Sequence, residues 1–373
     1  MAAAIGIGRF VYTPILPAML ASLGWSKSDA GLVASANFLG YFIGALLAGR
    51  PFAVAKPRLW LLTALAISAL STAAMAIPSD IASFVVLRFI GGAASAFVIV
   101  CASTLVLEQL SVSGRPSLSA IHFAGVGFGI MISAIAVSTM LSWDAGWRSL
   151  WIGSGSIAIL AAIGAGWLIP AVDNIGAPPK PAISNGPSSG IGTMVVSYGL
   201  FGFGYVITAT FLVAIVRLTP EIRVIEPWVW TLFGVAAMPS VTVWGWLGKR
   251  IGVLNAYAAA CAIEAIGVAA SVEWVSIPGV CFSALLLGGT FMGITALGFM
   301  AAQILAGGNP HRAFGRMTAS FSIGQMAGPL LAGFLSERFG DFRAPSLIAA
   351  AALIAATALA LWTSSTAVRP ATA

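Results

Sequence analysis

Three charged side chains fall inside long apolar runs, and their chemistry demands an explanation first: Arg9, Arg88 and Glu264. A charge near the middle of a membrane helix costs at least ~2.5–3.5 kcal/mol on insertion scales, so it should face a cavity or a partner. The guanidinium of Arg9 has the planar fork that grips a carboxylate or a phosphate, which makes it a candidate anion-binding group. Its competing reading is a side chain that snorkels to the membrane surface. Arg88 opens the string Arg88-Phe89-Ile90-Gly91-Gly92, where an arginine either relays charge or holds backbone carbonyls of neighbouring helices. Glu264 is the one acid clearly inside an apolar run. Facing the interior, it is a candidate proton carrier; otherwise it is a protonated carboxyl bonded to the next helix. His122 can titrate near physiological pH, or it makes a structural hydrogen bond.

Uncharged polar groups accompany them. Tyr12, Asn37, Tyr41, Tyr205, Gln303 and Gln325 all lie in apolar stretches, where such groups either bind a ligand or bridge helices with energies of ~0.6–2 kcal/mol. Metal or cofactor chemistry has no support in the sequence. Cys101, Cys261 and Cys281 lack the paired spacing of a zinc site or a disulfide framework. Gly125-Val126-Gly127-Phe128-Gly129 lies inside a span with no strand before it, which excludes a nucleotide-binding loop.

The elements that must position these groups are membrane helices. Of 373 residues, 59% are hydrophobic and only 8% charged, far below the roughly 25% charged residues of an ordinary soluble domain. The net charge of +7 is scattered singly between apolar runs, with no basic stripe for nucleic acid. Each helical crossing takes roughly 20 apolar residues, and the runs predict twelve spans: 1–21, 30–49, 59–77, 82–107, 117–141, 149–169, 193–216, 227–247, 254–275, 278–305, 318–336 and 344–362. Backbone groups in lipid must be satisfied within the segment, so the fold class is all-α and polytopic. The opening run has no basic leader and is retained as a helix; because it starts at Met1, a few residues of the first span are expected to precede it.

The polar segment from Ala171 to Gly192, rich in Pro, Gly and Ser, reads as a flexible linker between a six-helix half over 1–170 and a second over 193–373. An internal repeat supports the division. Gly6, Phe10 and Tyr12 echo Gly199, Phe203 and Tyr205; Arg50 echoes Arg250; Gly91-Gly92 echoes Gly288-Gly289; Gly114-Arg115 echoes Gly315-Arg316, at offsets of 193 to 201 residues. With both termini cytoplasmic, the inner segments hold Arg50, Lys56, Arg58, Arg115, Lys180, Lys249, Arg250, Arg312, Arg316 and Arg369, and the outer ones Lys27, Arg148, Arg217, Arg223, Arg338 and Arg343. That bias predicts this orientation.

Twelve spans in a six-plus-six repeat resemble the major facilitator superfamily. The strings from Gly6-Ile7-Gly8-Arg9-Phe10 to Pro17, from Asn37-Phe38-Leu39-Gly40 to Gly44, from Gly288-Gly289-Thr290-Phe291 to Leu297, and Gly324-Gln325-Met326-Ala327-Gly328-Pro329 are similar to its YbfB/YjiJ-type branch over essentially the whole chain. The resemblance implies a transporter with a central mid-membrane cavity, worked by rocking one half against the other. It makes Tyr12, Asn37 and Gln325 the preferred partners of Arg9 in binding solute and links Arg88, through an Arg-x-x-x-Gly string like the superfamily's, to proton coupling. Glu264 and His122 stay candidates for proton coupling or charge relay on their own chemistry, span 9 with Glu264 being a peripheral scaffold helix in the resembled fold. Pro14 and Pro17 would kink a cavity-lining first span. Gly40 and Gly44, Gly125 and Gly129, and Gly324 and Gly328, each pair four apart, are expected to bring helices close at the interface between the halves. One departure stands out: Gly49-Arg50 and Lys249-Arg250-Ile251-Gly252 lack the Asp that the superfamily's loops usually carry.

These features lead to a secondary active transporter of the inner or plasma membrane. It would be monomeric, proton-coupled and free of cofactors and metals, and would move a small organic, anionic solute. Efflux of an apolar or aromatic compound is the alternative within the fold. A membrane sensor or membrane-embedded enzyme would need an output domain, or a nucleophile with its base or a metal cluster at a water interface, and the sequence offers neither.

Overall fold

The computed structural model describes residues 1–115, 118–169, 190–306 and 310–367. The first span, Ala2–Leu23, comes in two pieces, a π-helical Ala2–Ile7 and α1, Tyr12–Leu23. Then follow α2 (Lys27–Ala48), the short α3 (Pro51–Val54), α4 (Pro57–Ala74), α5 (Ile81–Val112), α6 (Ser119–Ser142) and α7 (Trp147–Leu168). The second half has α8 (Ile191–Leu218), α9 (Glu226–Ile251), α10 (Val253–Glu273), α11 (Ile277–Leu305), α12 (Pro310–Phe339) and α13 (Arg343–Ala367). Most of the expected linker, with Lys180, lies outside the described residues, as does Arg369.

Eleven of these segments are long and apolar enough to cross a bilayer. The twelfth crossing is α12, whose ends carry Arg312, Arg316, Glu337 and Arg338 and whose centre holds Ser320, Ser322 and Gln325. It tolerates that composition because α8 and α2 pack against it, so protein rather than lipid meets its polar face. Both α5 and α12 run past the sequence-based limits through Glu108 and Arg316, since a helix continues in water where the apolar signal stops. At the start of α2, Ser26 accepts from the Asp29 amide and Asp29 from the Ser26 amide, a capping box that fixes where the helix begins.

The internal repeat is visible in packing. A Cβ on Gly6 would collide with α6 at Val126 and Gly129, and one on Gly199 with α12 at Ser320, the same pair of neighbours in each half. Likewise Gly92 abuts the Asn37 carbonyl and Gly288 the Phe233 carbonyl, and one offset separates both residues of the first pair from those of the second.

The glycine pairs require a correction. Gly40 and Gly44 press α2 on Phe89 and Ala93 of α5; Gly129 presses α6 on Ala2, with Gly125 beside Met1; Gly324 and Gly328 press α12 on α8 at Gly199 and Phe203. All six therefore pack helices within a half, not between halves. The seam uses other glycines: Gly31 of α2 against the Pro329 carbonyl of α12, Gly333 against Lys27 and Ser28, and Gly127 of α6 against Gly234 of α9. Four-residue spacing marks a helix face that can approach another closely, but it does not say which helix will come.

The halves meet through α2 with α12, α6 with α9 and α1 with α8. Polar links across this seam gather where α2 begins and α12 ends. Lys27 Nζ donates to the carbonyls of Ser336 at 3.1 Å and Gly340 at 2.8 Å, Ser28 bonds Glu337, Ser35 Oγ donates to the Met326 carbonyl at 2.8 Å, and Ser138 Oγ to the Pro227 carbonyl at 2.7 Å. At the opposite end, α5 makes no substantial contact with the second half. The molecule is thus closed at its Lys27 end.

Candidate solute-binding site

The centre of the molecule is built around a break in the first span. Pro14 has no N–H to offer Phe10, and the Phe10 carbonyl takes the Thr13 amide instead at 3.2 Å. Between the π-helical piece and α1 the carbonyls of Gly8 and Arg9 are bonded by Arg88, Nη1 to Gly8 and Nη2 to Arg9, each at 3.2 Å. Buried carbonyls need such partners, so an arginine with 4% exposure serves as a clamp on the break. Asn37 Nδ2 in turn donates to the Arg88 carbonyl at 2.9 Å. Tyr12 lies beneath the Arg88 guanidinium at 4.8 Å and donates its hydroxyl to the Ala30 carbonyl at 2.9 Å. Tyr12, Asn37 and Arg88 therefore form one group that fixes backbone.

Arg9 points the other way, into the junction of the halves. It is 7% exposed, and among the described residues the ion pairs within 4.0 Å are Arg217–Glu226 and Arg343–Glu273, so no carboxylate neutralises it. Its Nη2 donates to Gln325 Oε1 of α12 at 3.0 Å, and Gln325 Nε2 bonds the Tyr205 hydroxyl of α8. The Nε is without a partner. Two rings of α2 lie against the guanidinium, Tyr41 at 4.3 Å and Phe38 at 4.7 Å, which offers cation–π attraction and no counter-charge.

Gln325, expected from the sequence as a solute-binding residue, is bonded to Arg9; of the rings around Arg9 the sequence singled out Tyr41 and Tyr205 as polar groups and did not single out Phe38, Phe291 or Phe321. Tyr205 stacks on Phe321 at 5.9 Å and 7° and on Phe291 at 6.0 Å and 17°. Phe10 meets Phe291 at 5.9 Å and Trp230 at 6.4 Å. Each ring alone reads as core. The available signal was that Phe10 adjoins the buried Arg9 and that Tyr205 and Phe291 occur in strings of the repeat.

The other charged candidates are elsewhere. Glu264 on α10 is 0% exposed, and neither carboxyl oxygen has a hydrogen-bond partner; the neighbouring Thr290 hydroxyl is directed to the Leu286 carbonyl at 2.7 Å. It lies within electrostatic reach of Tyr205. His122 is half-buried, 3.4 Å from Ser103 Oγ, on a cavity of about 590 Å³ within the first half that Met1, Glu108 and Gln109 also line. Arg9 is not part of that cavity. Pro17 sits inside α1, and Thr13 Oγ1, beside Pro14, donates across the seam to the Ala209 carbonyl at 2.8 Å.

A buried cation bonded to a neutral amide and surrounded by rings, at the junction of the halves, has the chemistry to hold an anion. The solved nucleoside transporter NupG, in a mutant form, superposes with a TM-score of 0.69 at 14% identity over 98% of each chain, a likeness of fold. No curated protein sequence matches the chain. The family profile described as "Uncharacterised MFS-type transporter YbfB" matches residues 1–361, and the chain therefore belongs to that family of multi-pass membrane transporters within the major facilitator superfamily.

Proposed function

We propose that the chain is a secondary active transporter that moves a small organic anion by alternating access, with Arg9 as the group that recognises the charge. The observation that carries this reading is the burial of Arg9 without any acidic partner. An uncompensated guanidinium in low dielectric costs several kcal/mol, and a solute carboxylate or phosphate removes that cost only when bound. A nucleoside, which the name of NupG would suggest, offers no such charge.

The termini are cytoplasmic on the balance of Arg and Lys, in an inner or plasma membrane. Closure at the Lys27 end then corresponds to a carrier facing the cytoplasm. The protein acts as a monomer, and the coupling ion is a proton carried by Glu264, whose carboxyl has neither a cation nor a donor to stabilise a charge. Arg88, spent on the Gly8 and Arg9 carbonyls, positions the recognition group.

The test is flux in proteoliposomes against a panel of carboxylates and organic phosphates, with and without an imposed pH gradient. Saturable uptake that Arg9→Gln abolishes and an inward proton gradient drives is the expected result. Uptake unchanged in Arg9→Gln removes the anion reading; uptake indifferent to the gradient removes the coupling.

A further inference from the structure

We infer that the solute is an aryl carboxylate, a planar ring bearing an acid group; this deepens the reading of Arg9 and rests on it. Gln325 supplies the first step. Its Oε1 already occupies a hydrogen-bonding position on Arg9 Nη2 at 3.0 Å, and an amide oxygen has the geometry of one carboxylate oxygen. The adjacent Nε is 93% removed from solvent with its residue and carries an unused proton. A carboxylate that displaces the Gln325 oxygen gains a charge-assisted bond on Nη2 and meets the free Nε donor, the bidentate arrangement a guanidinium favours.

The second step is what surrounds the body of such a solute. Gln325 continues to the Tyr205 hydroxyl, and Tyr205 lies near-parallel to Phe321, Phe291 and Phe201. Phe291 touches Phe10, the residue next to Arg9. From the seat of the carboxylate, a ligand therefore meets ring faces and edges. Rings prefer offset-stacked or edge contacts with other rings, beyond what area alone provides. A flat aryl body satisfies those contacts, whereas a saturated ring of the same size is puckered and has no π-face to offer.

The third step separates this from a merely apolar pocket. Tyr41 and Phe38 lie against the same guanidinium, so rings also border the charged end of the site. An aromatic acid places its carboxylate in the plane of its ring, and the two requirements, charge at Arg9 and π-surface at Tyr205, are met by one rigid body with little conformational entropy to lose.

The experiment measures binding to the full chain in nanodiscs, using benzoate, 4-methylbenzoate and 2-naphthoate against cyclohexanecarboxylate, hexanoate and benzamide. At least one aryl carboxylate should bind about tenfold or more tighter than cyclohexanecarboxylate, with benzamide weaker than either, a ratio in the range that ring–ring contacts supply. Phe321→Leu should lower the ratio of aryl to cyclohexane binding toward one, and Phe321→Tyr should keep that ratio, which shows that a ring is what matters. Equal or tighter binding of the saturated acids overturns the aryl inference and leaves the anion reading standing. Benzamide binding as well as benzoate, unaffected by Arg9→Gln, overturns both. Failure of all three aryl carboxylates to bind overturns the inference as well.

Discussion

Arg9 of the first span and Gln325 of α12 join the two halves of the molecule by a single side-chain hydrogen bond of 3.0 Å at the point where the first helix is broken. The bond is cation to neutral amide, so it satisfies a donor and leaves the charge uncompensated. On the proposed reading an arriving anion displaces this bond, which would tie occupancy of the site to the contact between halves. Substituting Arg9 by Gln is expected to weaken anion binding by about tenfold to a hundredfold, the worth of a charge-assisted bond. Arg9→Lys keeps the charge, loses the fork, and should fall between. Titration of the purified protein with the transported anion checks both.

Gln325→Glu makes the opposite change. A carboxylate at that position would neutralise Arg9 permanently and occupy the seat of the solute. Uptake should be lost while thermal unfolding in detergent stays at or above the temperature of the unaltered protein, because a buried cation has gained a partner. Lost uptake together with a clear fall in melting temperature would indicate that the position serves packing instead.

Arg88 and Asn37 should behave as supports for the break. Arg88→Met leaves the Gly8 and Arg9 carbonyls without donors, at about 1–3 kcal/mol each, and is expected to lower the melting temperature by several degrees and to weaken anion binding through displacement of Arg9. Asn37→Ala removes one bond to the Arg88 carbonyl and should cost about 1 kcal/mol. Because the two share a network, their effects in the double variant should sum to less than their separate values.

The seam at the Lys27 end gives a conformational prediction. A side chain at Gly31 would collide with the Pro329 carbonyl, so Gly31→Leu should hold that end apart. In a chain with Cys101, Cys261 and Cys281 replaced, a Cys at Ser35, which is buried against Met326, should react slowly with a membrane-impermeant maleimide in the parent and rapidly with Gly31→Leu present. Equal labelling in both would mean that Gly31 does not gate this end.

Much of this architecture was legible because lipid imposes a strong rule. Every crossing needs a long apolar run, and the twelve runs announce all the long helices, though not the short α3, with ends near those observed apart from α5 and α12, which continue past their apolar runs. The landmark Gly6 with Gly199 was legible for a related reason, that duplicated halves repeat their close helix contacts, whereas the echo of Gly91-Gly92 in Gly288-Gly289 was read one residue out of register, Gly92 matching Gly288 in its contact. Which helix each glycine meets was not legible, and Gly40 and Gly324 turned out to pack inside their own halves. For the site, a buried Arg9 signalled itself by its cost. Arg88 carried the same cost, and only the broken backbone at Gly8 and Arg9 shows what it is spent on. Phe321 carried no signal, since an aromatic residue in a membrane helix is unremarkable until its neighbours are known.

Glu264 offers the sharpest separation of stability from function. The side chain is shut off from solvent and both its oxygens lack donors, so a carboxylate there would be an uncompensated buried charge, whereas Gln has nearly the same shape and never ionises. Glu264→Gln is therefore expected to fold with an unchanged or raised melting temperature. If the carboxyl carries the coupling proton, the same variant should lose accumulation driven by a pH gradient while retaining exchange of labelled for unlabelled solute, because exchange needs the binding site and the rocking of the halves without net proton movement. Accumulation that survives in Glu264→Gln would leave this carboxyl a buried packing group and place the coupling at another residue.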